Sequence, residues 1–131
     1  MKISKKSHYG LQACYYLMEV YPEGSVSAKE LEKKIAVSSK YLEQVMRALG
    51  KENIVGATRG VAGGYFLSRE PSDITVGQIV RALEENLEII DCVKKTECNR
   101  CPSANIWRKL HKGINELLDS ITLSDMKDTK E

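Results

Sequence analysis

Apolar side chains recur at helical spacing along five stretches of this chain, and two short runs rich in β-branched and aromatic residues lie between the third stretch and the fourth. The first stretch sets Leu11, Cys14, Tyr15 and Met18 on one face and predicts a helix from about Ser4 to Tyr21, stopped by Pro22. Ser27-Ala28-Lys29-Glu30 has the form of a capping box, in which a hydroxyl and a carboxylate satisfy orphan N–H groups at a helix start. A second, short helix therefore begins there and buries Leu31 and Ile35. It gives way at Val37-Ser38, where Ser38 can cap a third helix. In that helix Leu42, Val45, Met46 and Leu49 fall at i, i+3, i+4 and i+7, with Lys40, Glu43, Gln44, Arg47 and Lys51 on the other side. One face packs; the other is free.

Two strand candidates follow, Ile54–Thr58 and Tyr65–Leu67, joined by Arg59-Gly60-Val61-Ala62-Gly63-Gly64. Three glycines in six residues permit positive φ and a sharp reversal, so this is a hairpin with Arg59 near its tip, and Ser25-Val26 adds a short strand beside it. Pro71-Ser72-Asp73 reads as a linker, and Thr75-Val76-Gly77-Gln78 is a second capping box that starts a helix through Ile79, Val80 and Leu83. From Pro102 to about Thr122 runs the longest helix, in which Trp107, Leu110, Ile114, Leu117 and Ile121 follow the alternating spacing of a helix-pair seam. The predicted class is mainly α with a small β-hairpin wing. The whole of 1–131 forms one unit, in which 1–74 is a winged helix-turn-helix and 75–131 carries a linker helix, a cysteine loop at 91–102 and the last helix, with Lys127 to Glu131 frayed.

A capped helix pair followed by a hairpin wing is a device for reading DNA. An α-helix fills the major groove, where Gln and Glu discriminate base edges, and a protruding Arg suits phosphate or a narrow minor groove. The residues placed to do so are Ser38, Ser39, Lys40, Tyr41, Glu43, Gln44 and Arg47 on the third helix, and Arg59 and Gly60 in the wing. Charge supports this. The net charge is only +2, but up to Arg69 eleven Lys and Arg face six Asp and Glu, and beyond it nine face twelve, so the basic excess lies with the reading device.

The composition excludes several classes. No apolar window is long enough to span a membrane, and Gln12 and Glu19 interrupt the stretch that follows the basic Met1–Lys6 start, so no signal peptide is expected. The reading is a cytoplasmic protein with reduced thiols. With two histidines in the chain and no Ser/His/Asp or Cys/His set, no enzyme is expected.

Cys92, Cys98 and Cys101 form a Cys-x5-Cys-x2-Cys loop. Three thiols so close together in a reducing compartment point to a soft metal. Cys101 as N-cap and Pro102 at the first helical position would turn the positive end of the last helix towards the thiolates, and Lys94, Lys95 and Arg100 add charge of the same sign. Spacing alone leaves structural zinc and an iron–sulfur cluster level. Cys14, in mid-helix among apolar neighbours, reads as a buried small hydrophobe.

Met1-Lys2-Ile3-Ser4 with Tyr9-Gly10-Leu11, Tyr41–Gln44, Arg59–Tyr65, Ile74–Ile79, Trp107–Leu110 and Ile121–Leu123 together resemble the Rrf-type bacterial transcription regulators along nearly the whole chain. The resemblance is closest in character to the iron–sulfur regulators of the IscR kind. It implies a dimeric winged-helix repressor or activator of double-stranded DNA, and it tips the metal from zinc to an iron–sulfur cluster, of two-iron two-sulfide rather than four-iron four-sulfide type. Two departures stand out: the gap from the second to the third cysteine is short, and Ala104 occupies the place of a histidine ligand. His8, His111, Asn105, an acidic side chain and a group from a second subunit remain open as fourth ligand. His8 matches an acidic ligand of NsrR-like members, and His111, ten residues past Cys101, reads as a surface histidine. Helix one and the Thr75 helix already supply core faces, so the seam of the last helix is expected to make an isologous homodimer, and a two-fold dimer reads a palindromic operator. The rivals are a regulator with structural zinc or no metal, and a small iron–sulfur redox protein.

Overall fold

The first helix, α1 (Lys5–Glu19), turns Ala13, Cys14, Leu17 and Met18 inward together with Ser7 and Gly10. The computed structural model describes residues 2–60, 63–88 and 102–127, and the account below concerns those. The buried face of α1 is rotated from the expected one: Leu11 and Tyr15 lie at its edge, half-buried against the core. The helix ends two residues before Tyr21, whose peptide bond to Pro22 is cis.

The helix-turn-helix forms where its caps lie. Ser27 accepts from Glu30 N–H at 3.2 Å and starts α2 (Ala28–Ile35). Ser38 accepts from Tyr41 N–H at 3.1 Å and starts α3 (Ser39–Lys51). Between them Ala36 takes the left-handed conformation (φ 54°, ψ 51°), which lets its N–H bond back to Glu32 and turns the chain sharply. Leu42, Val45, Met46 and Leu49 are each at most 2% exposed. At roughly 1.5–3 kcal/mol per buried aliphatic side chain, these four fix which face of α3 looks outward.

The wing is an antiparallel pair, β1 (Val55–Thr58) and β2 (Gly64–Leu67), in register Val55↔Leu67 to Thr58↔Gly64. Ile54 is fully buried just before β1 instead of lying within it. Gly60 has φ +104° at the reversal, and Gly63 N–H bonds Gly60 O at 2.9 Å. The expected strand at Ser25-Val26 is a single bridge, in which Val26 and Tyr65 exchange N–H···O bonds of 2.9 and 2.8 Å. That approach requires glycine at 64, because a Cβ there would stand 2.4 Å from Val26 O.

Pro71–Asp73 is a turn of 3-10 helix, and Thr75 caps α4 (Val76–Leu83) with both halves of its box formed, Gln78 N–H to Thr75 Oγ1 at 3.0 Å and Thr75 N–H to Gln78 Oε1 at 3.1 Å. The last helix, α5 (Ala104–Ser120), differs from expectation at both ends. Its N-cap is Ser103, not Cys101, and Pro102 lies in the turn before it. The Ser103 hydroxyl accepts from Trp107 Nε1 at 3.0 Å, so the indole braces this turn from inside the helix. At the far end Ile121 is extended, Thr122 pairs with Thr75, and Leu123 is fully buried in the core. Two bonds of 2.8 Å, Val76 N–H to Ile121 O and Leu123 N–H to Ile74 O, close this return.

Candidate nucleic-acid interface

Ser38, Ser39, Lys40, Glu43, Gln44 and Arg47 are all exposed on the outward face of α3, and Tyr41 is half-buried at its edge. Arg59 and Gly60 are exposed in the wing, while Val61 and Ala62 lie outside the described residues. The structure thus brings the predicted reading residues onto the first three turns of α3 and the start of the wing loop.

Glu43 and Arg47 bind each other: Arg47 Nη2 donates to Glu43 Oε1 at 2.6 Å, with 67% and 62% of the two side chains exposed. An exposed i,i+4 pair contributes only about 0.3–0.5 kcal/mol, so it orders the face without locking it. Tyr65 on β2 lies close enough to Glu43, Glu32 and Arg47 to feel their charge. Burial pushes its hydroxyl up, Glu43 and Glu32 push the same way, and Arg47 opposes them. Tyr65 thus brings a wing side chain within electrostatic reach of the recognition face.

Tyr41 rests on a second aromatic that sequence reasoning missed. The ring of Tyr9 meets it edge-on, centroids 5.7 Å apart and planes at 87°. Burial pushes the Tyr41 hydroxyl up, with Tyr9 and Glu84 adding to the effect. Glu84, just past α4, was also unforeseen. It accepts from the N–H and hydroxyl of Ser4 and from the buried hydroxyl of Ser7. Burial pushes its carboxyl up, but the bonds from Ser4 and Ser7 and the charge of Lys6 outweigh it and hold the carboxyl below the usual range.

The three cysteines of the loop, Cys92, Cys98 and Cys101, lie outside the described residues. Among the described residues no group of three His, Cys, Asp or Glu side chains is arranged to hold a metal ion. Cys14 is the buried hydrophobe expected of it: fully buried, its thiol is pushed up to about 12 by burial, far from a thiolate ligand. Ala104 opens α5 and offers no donor. His8 is exposed beside Tyr9, ring centroids 5.3 Å apart. His111 is not the surface histidine expected. It is half-buried, its Nε2 lies 3.3 Å from Asn115 Nδ2, and its Nδ1 is buried without a hydrogen-bond partner among the described residues.

A family model described as "Rrf2: Iron-dependent Transcriptional regulator" matches residues 3–129. The chain belongs to the Rrf2 family of transcriptional regulators. Among Rrf2 relatives, the HTH-type transcriptional regulator IscR of Pectobacterium atrosepticum is 30% identical over 134 residues, covering 100% of this chain and 82% of that protein. The IscR of Yersinia pseudotuberculosis is 31% identical over 129 residues, covering 96% and 79%. Two solved Rrf2-type structures superpose along the full chain. One is T. potens IscR, with TM-score 0.77, 42% identity, 100% of this chain and 89% of that one. The other is CymR, the global cysteine regulator of B. subtilis, with TM-score 0.81, 33% identity, 100% and 99%. These relatives are regulators and not enzymes, as the lack of a catalytic set implied. No helix among the described residues is long and apolar enough to cross a membrane.

Proposed function

We propose that this Rrf2 regulator acts in the cytoplasm as a homodimer on a palindromic operator, reading bases with α3 and gripping backbone with the wing, and that an iron–sulfur cluster held by Cys92, Cys98 and Cys101 sets its affinity. The observation that carries the DNA reading is the outward face of α3. The Ser38 cap and four buried side chains fix that helix, and Lys40, Glu43, Gln44 and Arg47 are exposed on its other side. Glu43 can accept from a cytosine amino group, Gln44 matches adenine, and Ser38, Ser39, Tyr41, Arg59 and Gly60 are placed for backbone. Residues 1–74 supply the DNA-binding portion, and the rest supplies sensing and dimer contacts.

The dimer reading rests on α5. Ile106, Leu110 and Leu117 are 61%, 46% and 62% exposed along one side of the helix, and Ile121, extended just past its end, is 38% exposed. Trp107 and Ile114 of the expected seam are half-buried, so the stripe left for a second copy lies slightly round the helix from the one the spacing suggested. Against α4 the helix is held by polar contacts instead, Arg81 to Asp119 at 2.6 Å and to Asn115 at 2.9 Å.

The case for a cluster is the donor set, three soft thiolates within ten residues, together with the family resemblance. When bound, a cluster supplies a charge and a cross-link among the three thiolates that vary with iron supply and redox state. Binding can shift α3 only through a difference in free energy between two poses of the chain. Structural zinc, at home on a Cys-x2-Cys pair, is the rival. Anaerobic purification followed by absorbance and by iron, sulfide and zinc assays on wild type and Cys98→Ala tests this. The reading expects a coloured protein with iron and sulfide that Cys98→Ala bleaches. A colourless protein with stoichiometric zinc sinks the cluster and leaves the DNA reading standing.

A further inference from the structure

We infer that the first turns of α1 form a second DNA-backbone site, in which Lys5 and His8 contact phosphates beside the start of α3; this rests on the reading of α3 as the recognition helix. Ser4 and Ser7 point to the end of α4, where Glu84 holds them. At 100° per residue, Lys5 and Tyr9, one turn apart, share a side roughly 100–160° round from those serines, and His8 lies between that side and them. That side meets α3. Tyr9 packs edge-on against Tyr41, the third residue of α3, and the His8 ring lies next to Tyr9, so an exposed imidazole stands one ring away from the recognition helix's first turn.

Lys5, Lys6 and Tyr41 line one open concavity of about 460 Å³ between the starts of the two helices, closed off by Glu84 and Glu85 from the end of α4. The acidic groups there are unequally engaged with the two lysines. Lys6 lends its charge to Glu84, which the serines also hold. Lys5 has no carboxylate within ion-pair distance among the described residues. Its position works against α1 on its own, since the first turn holds no acidic residue while its lysines sit at the positive end of the helix dipole. A cation kept where it destabilises its own helix, at the edge of a DNA-reading face, fits an anion outside the molecule. The anion on hand is the backbone strand that flanks a groove filled by α3. Phosphate contacts of this kind fix register and orientation and carry no base information.

Operator binding of wild type, Lys5→Gln, the Lys5→Gln/His8→Ala double variant and a control, Lys112→Gln on α5, should be followed by anisotropy over a range of salt concentrations, on the operator and on an unrelated duplex. Lys5→Gln should lower the slope of log affinity against log salt by about 1 and weaken both duplexes alike, and the double variant should weaken both further by about threefold or more. Lys112→Gln should leave the slope in place. The inference is overturned if Lys5→Gln keeps the wild-type slope, if the control loses as much as Lys5→Gln, or if the double variant loses preference for the operator instead of affinity for both. A wild type that binds neither duplex removes the recognition reading as well, which separates the two failures.

Discussion

Glu84 closes the start of α1 from eighty residues downstream: its carboxylate accepts the Ser4 N–H at 3.1 Å and the Ser4 hydroxyl at 2.6 Å. Ser4 stands at the N-cap but uses its own side chain on Glu84 and not on the helix, so the carboxylate takes over the role that a capping side chain plays elsewhere in this chain. The same group satisfies Ser7, which is fully buried.

Glu84→Ala should therefore leave a buried hydroxyl without a partner and cost roughly 1–3 kcal/mol in denaturant unfolding. Ser7→Ala made in that background should cost much less than in wild type, because the two share one interaction. Independent, additive losses would show that the bond contributes nothing.

Acid should remove the same contribution. The Glu84 carboxyl is held below its ordinary value in the folded chain, so its stabilisation is fully present above the ordinary carboxylate range and drains away as pH falls through the lowered folded value. The stability gap between wild type and Glu84→Gln should be largest near neutral pH and close in acid. A gap that stays constant with pH would contradict this.

Gly64→Ala should break the wing. A Cβ at that position meets Val26 O at 2.4 Å and Val26 C at 2.8 Å, both backbone atoms that cannot swing aside. Loss of the Val26–Tyr65 bridge should cost about 1–3 kcal/mol and weaken operator binding through the wing, while Gly113→Ala, with nothing within 4 Å of its Cβ, should not destabilise the single chain. Thermal melts of both variants check this, and a Gly64→Ala protein as stable as wild type would be evidence against it.

Leu117→Glu tests the dimer helix. Leu117 is 62% exposed, so the change should move the stability of the single chain by only about 0.5 kcal/mol or less. Sedimentation should nonetheless show a monomer with much weaker operator binding. A Leu117→Glu dimer would require the interface to lie elsewhere.

The helix-turn-helix was legible because its signals are local. Ser27, Ser38 and Thr75 each bond an N–H three residues on, and the apolar face of α3 lies within two turns. What stayed hidden depends on distant partners. Nothing in the spacing ties Glu84 to Ser4, Tyr9 to Tyr41 or Thr122 to Thr75, and the rotated face of α1 follows from what packs on it. Pro102 suggested a helix start by a rule sound on average, yet Ser103 and Trp107 form a local pair that moves the start to Ala104. The cysteine pattern was legible as chemistry, and its placement lies outside the described residues.

The most direct test is a binding titration of wild type, Glu43→Ala and Arg59→Ala against duplexes selected from a random pool by the wild type. Glu43 faces bases in this account and Arg59 faces backbone. Glu43→Ala should change which duplexes are preferred, and Arg59→Ala should weaken all of them with the order of preference kept, the first by about 1–3 kcal/mol of discrimination at the affected base pair. If both variants bind the selected duplexes as the wild type does, α3 and the wing are not the reading surface.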